Sequence, residues 1–180
     1  MCGIAGYFNP NQNYAENPKQ NFHTLSRMIN TMNHRGPDTY GHTIINSCCL
    51  AHTRLSIIDL ENGRQPMSYT KDGNTYYIVY NGEIYNFKEV KKTLLQKNYT
   101  FETNSDTEVI VAAFCHYGPG FVQELNGIFA IAIYDSMRNT LYLYRDRFGV
   151  KPLYYTKTGD TLVFASRIDT LFEYPRIRPC

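Results

Sequence analysis

Apolar positions along this chain recur with two different periods, and the places where the period switches mark its elements. Gly3 to Phe8 alternates small and apolar residues and predicts a strand, with Gly6 allowing close backbone approach. Asn9 to Asn21, rich in Asn and Pro, reads as a polar surface loop. Phe22, Leu25, Ile29 and Met32 then fall at helical spacing and predict a helix over about 22–33 with one buried face. Arg35-Gly36-Pro37-Asp38 is the turn beyond it, since glycine and proline stop a helix. His42 to Asn46 and Cys49 to Arg54 read as strands. Leu55 to Leu60 leads into a loop through Asn62-Gly63 and Gln65-Pro66. The β-branched and aromatic run Thr75 to Tyr80 predicts a further strand. It runs into Asn81-Gly82-Glu83, where Asn-Gly marks a tight turn or exposed backbone amides.

Two capping boxes follow. Asn86-Phe87-Lys88-Glu89 opens a helix whose inward face is Val90, Leu94 and Leu95. Ser105-Asp106-Thr107-Glu108 opens another that buries Val109, Ile110, Ala113 and Phe114 and stops at Gly118. The last third is strand-rich: Phe129 to Tyr134, Thr140 to Tyr144, Leu153 to Tyr155 and Leu162 to Ala165, then a brief helix near Arg167. Closely spaced strands with few, segregated helices favour an α+β fold over a doubly wound sheet. No repeat or linker interrupts the chain.

Length and composition narrow the function classes. At 180 residues the chain is most simply one domain with a full core. Its formal net charge is +2 and no basic run exceeds two residues, so nothing predicts a nucleic-acid surface. No apolar run approaches the ~20 residues that span a bilayer, and no signal-peptide pattern is visible. The cysteines at 2, 48, 49, 115 and 180 are odd in number and lack CxxC spacing, so they read as reduced thiols in the cytosol. The histidines show no metal spacing.

The candidate chemistry starts at Cys2, which follows the initiator methionine. Once Met1 is removed, one residue carries a thiol and a free α-amine, which titrate within about one unit of each other in water. The amine can then take the proton from its own sulfur, joining nucleophile and base in one residue. Free cysteine is also a common inert core residue, so position alone does not decide. A thiolate attacking a carboxamide creates an oxyanion, which needs a backbone N–H and a side-chain amide. Asn81-Gly82 offers that pair, though Asn-Gly is also an ordinary hairpin turn. A free amino acid brings a carboxylate, which the donor fork of Arg54 can grip, and an ammonium, which Asp106 can face. Arg54 equally reads as a solvated charge, and Asp106 as a complement to the helix dipole.

The joint occurrence of these residues carries a resemblance. Cys2-Gly3-Ile4, His34-Arg35-Gly36-Pro37-Asp38, Ala51 to Asp59, Tyr80-Asn81-Gly82-Glu83-Ile84-Tyr85-Asn86, Ser105-Asp106-Thr107-Glu108 and Arg145 to Tyr155 appear in order. Over essentially the whole chain this resembles the glutaminase domain of asparagine synthetases, among the class II (N-terminal nucleophile) glutamine amidotransferases. The resemblance implies a four-layer αββα sandwich of two antiparallel sheets over residues 1–180. It implies Cys2 as nucleophile with its α-amine as base, and the Asn81 side chain and Gly82 amide as oxyanion hole. Arg54 and Asp106 would hold the glutamine α-carboxylate and α-amine, while backbone of Leu55, Ser56, Ile57, Ile58 and Glu83 completes the pocket. The implied reaction converts L-glutamine and water to glutamate and ammonia through a γ-glutamyl thioester, with no cofactor. A synthetase domain that adenylates aspartate with ATP and Mg²⁺ would use the ammonia.

Two departures qualify this. No Ser-Gly-Gly-Leu-Asp-Ser-Ser type loop is present, so ATP chemistry cannot be assigned to this polypeptide. The synthetase half then lies in cis, in a longer protein, or in trans, and a homodimer stays open. Arg167 stands where the family usually has Glu, which puts the usual interdomain contact in doubt. A half that amidates another carboxylate and a silent glutamine-binding module remain the alternatives, with a self-processing peptidase disfavoured because nothing beyond Met1 precedes Cys2. Arg145-Asp146-Arg147 reads as a salt-bridged turn, and Cys48, Cys49 and Cys115 as buried small residues.

Overall fold

The computed structural model describes residues 2–55 and 63–178. Its elements pack as helix, sheet, sheet, helix. The first sheet contains β1 (Gly3–Phe8), β2 (Thr39–Ile45), β3 (Cys48–Arg54), β8 (Tyr154–Thr158) and β9 (Thr161–Ala165), ordered β2-β3-β1-β9-β8. The second contains β4 (Met67–Lys71), β5 (Asn74–Ile84), β6 (Gly127–Asp135) and β7 (Thr140–Arg145), in sequence order. Every strand pairing is antiparallel. The helices are α1 (Pro18–Met32), α2 (Phe87–Leu95), α3 (Asp106–Tyr117) and the short α4 (Ile168–Leu171).

Side-chain alternation along the strands produces three apolar layers. Ala5, Tyr7, Cys49 and Ala51 face Leu25, Met28, Ile29 and Met32 of α1. Their strand neighbours Ile4, Cys48 and Leu50 point the other way, onto Val79, Ala130 and Ala132 of the second sheet. Beyond that sheet, Ile78, Tyr80, Ile131 and Ile133 pack against α2 and α3. Residues 109–114 of α3 are buried all round, because strands, α2 and the 3-10 segment Gly118–Glu124 enclose it. This is the αββα sandwich expected above.

Several expectations need correction. The first helix starts at Pro18, four residues early, and Phe22 is exposed, its ring tilted against His42 at 4.7 Å. Leu95 is likewise exposed, leaving Val90 and Leu94 as the buried face of α2. Met67–Lys71 is a strand that no sequence signal indicated. Asn86 does not cap α2: its side chain accepts from the Asn126 amide and donates to the Glu124 carbonyl. Ser105 does cap α3, accepting from the Thr107 amide at 3.2 Å, but Glu108 does not close the box. Its carboxylate takes the amides of Glu102 and Thr103 and the Thr103 hydroxyl. Asn81-Gly82 is no turn, since β5 continues through Ile84. Arg145 and Asp146 bond backbone groups rather than each other's charges. Cys115 is only partly buried, unlike Cys48 and Cys49.

Candidate active site

The parity that builds the layers also aims the site. Ile4 faces the gap between sheets, so Cys2, two residues earlier, continues toward that gap at the mouth of β1. His52 and Arg54 follow Leu50 on the same face of β3, and Asn81 follows Val79 on β5. The result is a cavity of about 200 Å³ at one end of the sandwich, with Cys2, Arg54, Leu55, Asn81, Gly82, Glu83 and Asp106 in its walls. That lies below the ~300–1,000 Å³ of drug-sized pockets and suits a ligand of amino-acid size. Every site residue that the sequence singled out and the structure describes is in this wall. Ser56, Ile57 and Ile58 lie outside the described residues.

At the mouth of β1, the Cys2 thiol lies 3.7 Å from the Leu55 carbonyl oxygen, and the Arg35 Nε donates to the Cys2 carbonyl at 3.2 Å. Asn81 is buried, and among the described residues nothing accepts from its Nδ2, which leaves a donor aimed into the cavity. Gly82 has to be glycine: a Cβ there would overlap the Ile128 carbonyl oxygen and stand 2.7 Å from the Tyr80 ring. Its amide direction follows from β5 parity. The Tyr80 amide donates to Gln65 Oε1 at 2.6 Å, on the edge away from β6, and the Ile84 amide bonds the Asp106 carboxylate on that edge. Gly82, midway between them, presents its amide there too.

At the other end, Asp106 is buried at the first turn of α3 and accepts from the Tyr80 hydroxyl at 2.9 Å. Burial raises its pKa above the ordinary carboxylate value, although Tyr80 and the amides of Ile84, Thr107 and Asp106 oppose that rise. Arg54 is buried in the opposite wall, at the end of β3, where its own carbonyl accepts from the Asp38 amide.

Several wall or neighbouring residues had no assigned role in the sequence, among them Arg35, His52, Gln65 and Tyr80. Of these four, all but Gln65 lie in the motifs quoted above, which was the signal available. Burial pushes the His52 pKa down to about 3, helped by the Arg54 cation and partly offset by a bond to the Tyr80 carbonyl, so the ring is neutral near pH 7. Arg167 is held by Asp169 in a two-point ion pair and touches His34 Nε2 at 2.8 Å, so its charge is balanced within this domain.

A thiol at the mouth of an inner strand, beside an amide-lined strand edge in an αββα sandwich, fits the N-terminal nucleophile hydrolase class. Within it, the chain belongs to the glutamine amidotransferase domain family, whose model matches residues 1–179. It is 40% identical over 178 residues to the glutamine-hydrolysing asparagine synthetase 3 of Bacillus subtilis, covering 99% of this chain and 28% of that protein. It is 45% identical over 175 residues to asparagine synthetase 2 of the same organism, covering 97% and 23%. The chain thus spans about a quarter of the length of these relatives. Among solved structures, glutamine phosphoribosylpyrophosphate amidotransferase from B. subtilis, complexed with ADP and GMP, matches with a TM-score of 0.73 at 19% identity. That match covers 96% of this chain and 43% of the other, and it shows a shared fold.

Proposed function

We propose that this domain hydrolyses L-glutamine to L-glutamate and ammonia through a thioester on Cys2. The observation that carries the reading is the convergence of Cys2, Arg54, Asn81-Gly82 and Asp106, from four separate segments, on one amino-acid-sized cavity. With Met1 removed, the α-amine takes the thiol proton and the thiolate attacks the γ-carboxamide carbon. The oxyanion falls to the Asn81 Nδ2 and the Gly82 amide. The C–N bond then breaks, and the α-ammonium protonates the departing nitrogen. Water adds to the thioester and releases glutamate. Arg54 and Asp106 hold the α-carboxylate and α-ammonium, with backbone of Leu55 and Glu83 closing the pocket.

The ammonia is destined, in this reading, for an ATP- and Mg²⁺-dependent synthetase part that amidates aspartate. The names and lengths of the relatives support that assignment. The glutaminase step itself asks for no cofactor. Among the described residues no group of three His, Cys, Asp or Glu side chains could hold a metal ion, and no helix is long and apolar enough to cross a membrane. The free thiols support a cytosolic setting.

Glutamate release from Met1-free protein tests the reading. Cys2→Ala is expected to abolish release while retaining glutamine binding, and a retained Met1 or N-terminal tag is expected to silence the protein by turning the amine into an amide. Full turnover by Cys2→Ala, or by tagged protein, would refute it.

A further inference from the structure

β5 loses its neighbour at its functional end. β4 pairs with it from Lys71↔Asn74 to Met67↔Ile78 and stops. On the opposite edge, Asp146 bonds both backbone groups of Phe129, accepting from its N–H at 3.3 Å and donating to its carbonyl at 2.8 Å. Phe129 is the register partner of Gly82, so the Gly82 amide is turned off the β6 side and onto the open edge. Among the described residues, the Gln65 side chain stands there in place of a strand. Gln65 takes the Tyr80 amide with Oε1 at 2.6 Å and donates from Nε2 to the Thr107 hydroxyl at 3.2 Å. One carboxamide therefore ties the strand that bears Asn81-Gly82 to the helical turn that bears Asp106. The carbonyl of the same Tyr80 is bonded by His52. Gln65 is itself seated tightly, because a Cβ on Gly41 would overlap its carbonyl oxygen.

We propose that Gln65 is a positioning residue for glutamine hydrolysis, acting through Tyr80 and Thr107 to aim the Gly82 amide and fix its span from Asp106. The inference rests on the glutamine-hydrolysis reading above. A strand edge held by water would leave the Gly82 amide free to drift, and a displacement near 1 Å at a reacting centre costs about a hundredfold in rate. The binding groups for the α-carboxylate and α-ammonium would stay in place, so the loss falls on the transition state rather than on the ground state.

The test compares Met1-free wild type with Gln65→Met, which keeps length but cannot accept a hydrogen bond, and with Thr107→Val, which cuts the far end of the bridge. Three quantities are measured: glutamine turnover, affinity for L-glutamate, and affinity for L-glutamate γ-semialdehyde. The Cys2 sulfur adds to the aldehyde carbon and the thiol proton passes to its oxygen, which then sits where the intermediate carries its charge. Gln65→Met is expected to lower kcat and semialdehyde affinity together by about 10–100-fold, with KM and glutamate affinity within about threefold. Thr107→Val is expected to show the same split more weakly, and it carries the test should Gln65→Met fail to fold. Variants that lose thermal stability alone, with wild-type kcat and semialdehyde affinity, overturn the proposal. An equal loss of glutamate and semialdehyde affinity also overturns it. Wild type that releases no glutamate is a different failure, since it removes the underlying reading and this inference with it.

Discussion

The Tyr80 hydroxyl donates to Asp106 Oδ2 across 2.9 Å, and both side chains are buried. Burial outweighs that bond and lifts the Asp106 pKa above its ordinary 3.8. A bound ammonium needs the carboxylate ionised, so glutamine affinity is full above the raised value and falls as pH drops through it, in a window that begins above 3.8. Tyr80→Phe removes a donor to the charged form and moves that loss to higher pH. Glutamine Kd against pH, measured on Cys2→Ala so that the thiol plays no part, checks both statements. A Kd flat with pH, or a midpoint unmoved by Tyr80→Phe, would contradict them.

Asn81→Ala is expected to lower kcat by about 10²–10³-fold with a modest change in KM. Because the Asn81 Nδ2 has no partner among the described residues, its loss breaks no bond to them, and the melting temperature should hold or rise. A defect confined to KM, or one that tracks a fall in stability, would argue against the oxyanion role.

His52 makes stability pH-dependent. Its folded-state pKa of about 3 lies below the ordinary 6.5, so the unfolded chain binds the extra proton. The neutral ring's contribution is complete above about 6.5 and is lost as pH falls toward 3. Denaturant titrations should show wild type losing roughly 1.4 kcal/mol more per pH unit than His52→Gln below that point. Parallel pH profiles for the two proteins would show that the ring does not titrate differently on unfolding.

Asp146 works in the opposite sense to Asp106. Burial would raise its pKa, but the amides of Lys151, Val150, Phe129 and Phe148 together hold it below the usual carboxylate range. Its contribution is therefore present above the ordinary 3.8 and lost as pH falls below it. Asp146→Ala strands those amides, at about 2–4 kcal/mol, or roughly 4–16 °C in melting temperature for a chain of this size. Thermal melts at neutral pH check this, and an unchanged Tm would mean that water replaces the carboxylate without loss.

The strand and helix periods were readable along most of the chain, and the errors share a cause. Phe22 and Leu95 have the right spacing for a buried face, but burial depends on what the neighbouring layer covers, which lies elsewhere in the chain. Met67–Lys71 became a strand by pairing with β5, a contact that no local signal carries. Asn81-Gly82 looks like a hairpin from its dipeptide alone; pairing with Ala130 and Phe129 holds it extended instead. Arg145-Asp146-Arg147 looks like an ion-pair turn, yet Asp146 answers backbone amides that face it only in the folded loop.

The amino-acid order by itself determined which groups could do the chemistry: a thiol at position 2, an amide beside a glycine, one guanidinium and one carboxylate, each at the end of a legible element. That follows because reactivity and local backbone preference are properties of short stretches. The tertiary structure decided that these groups share one cavity, that Asn81 keeps a donor unpaired among the described residues, and that Gln65 and His52 take the N–H and the carbonyl of Tyr80. Those are relations between distant segments, set by strand register and by which face of each sheet is covered.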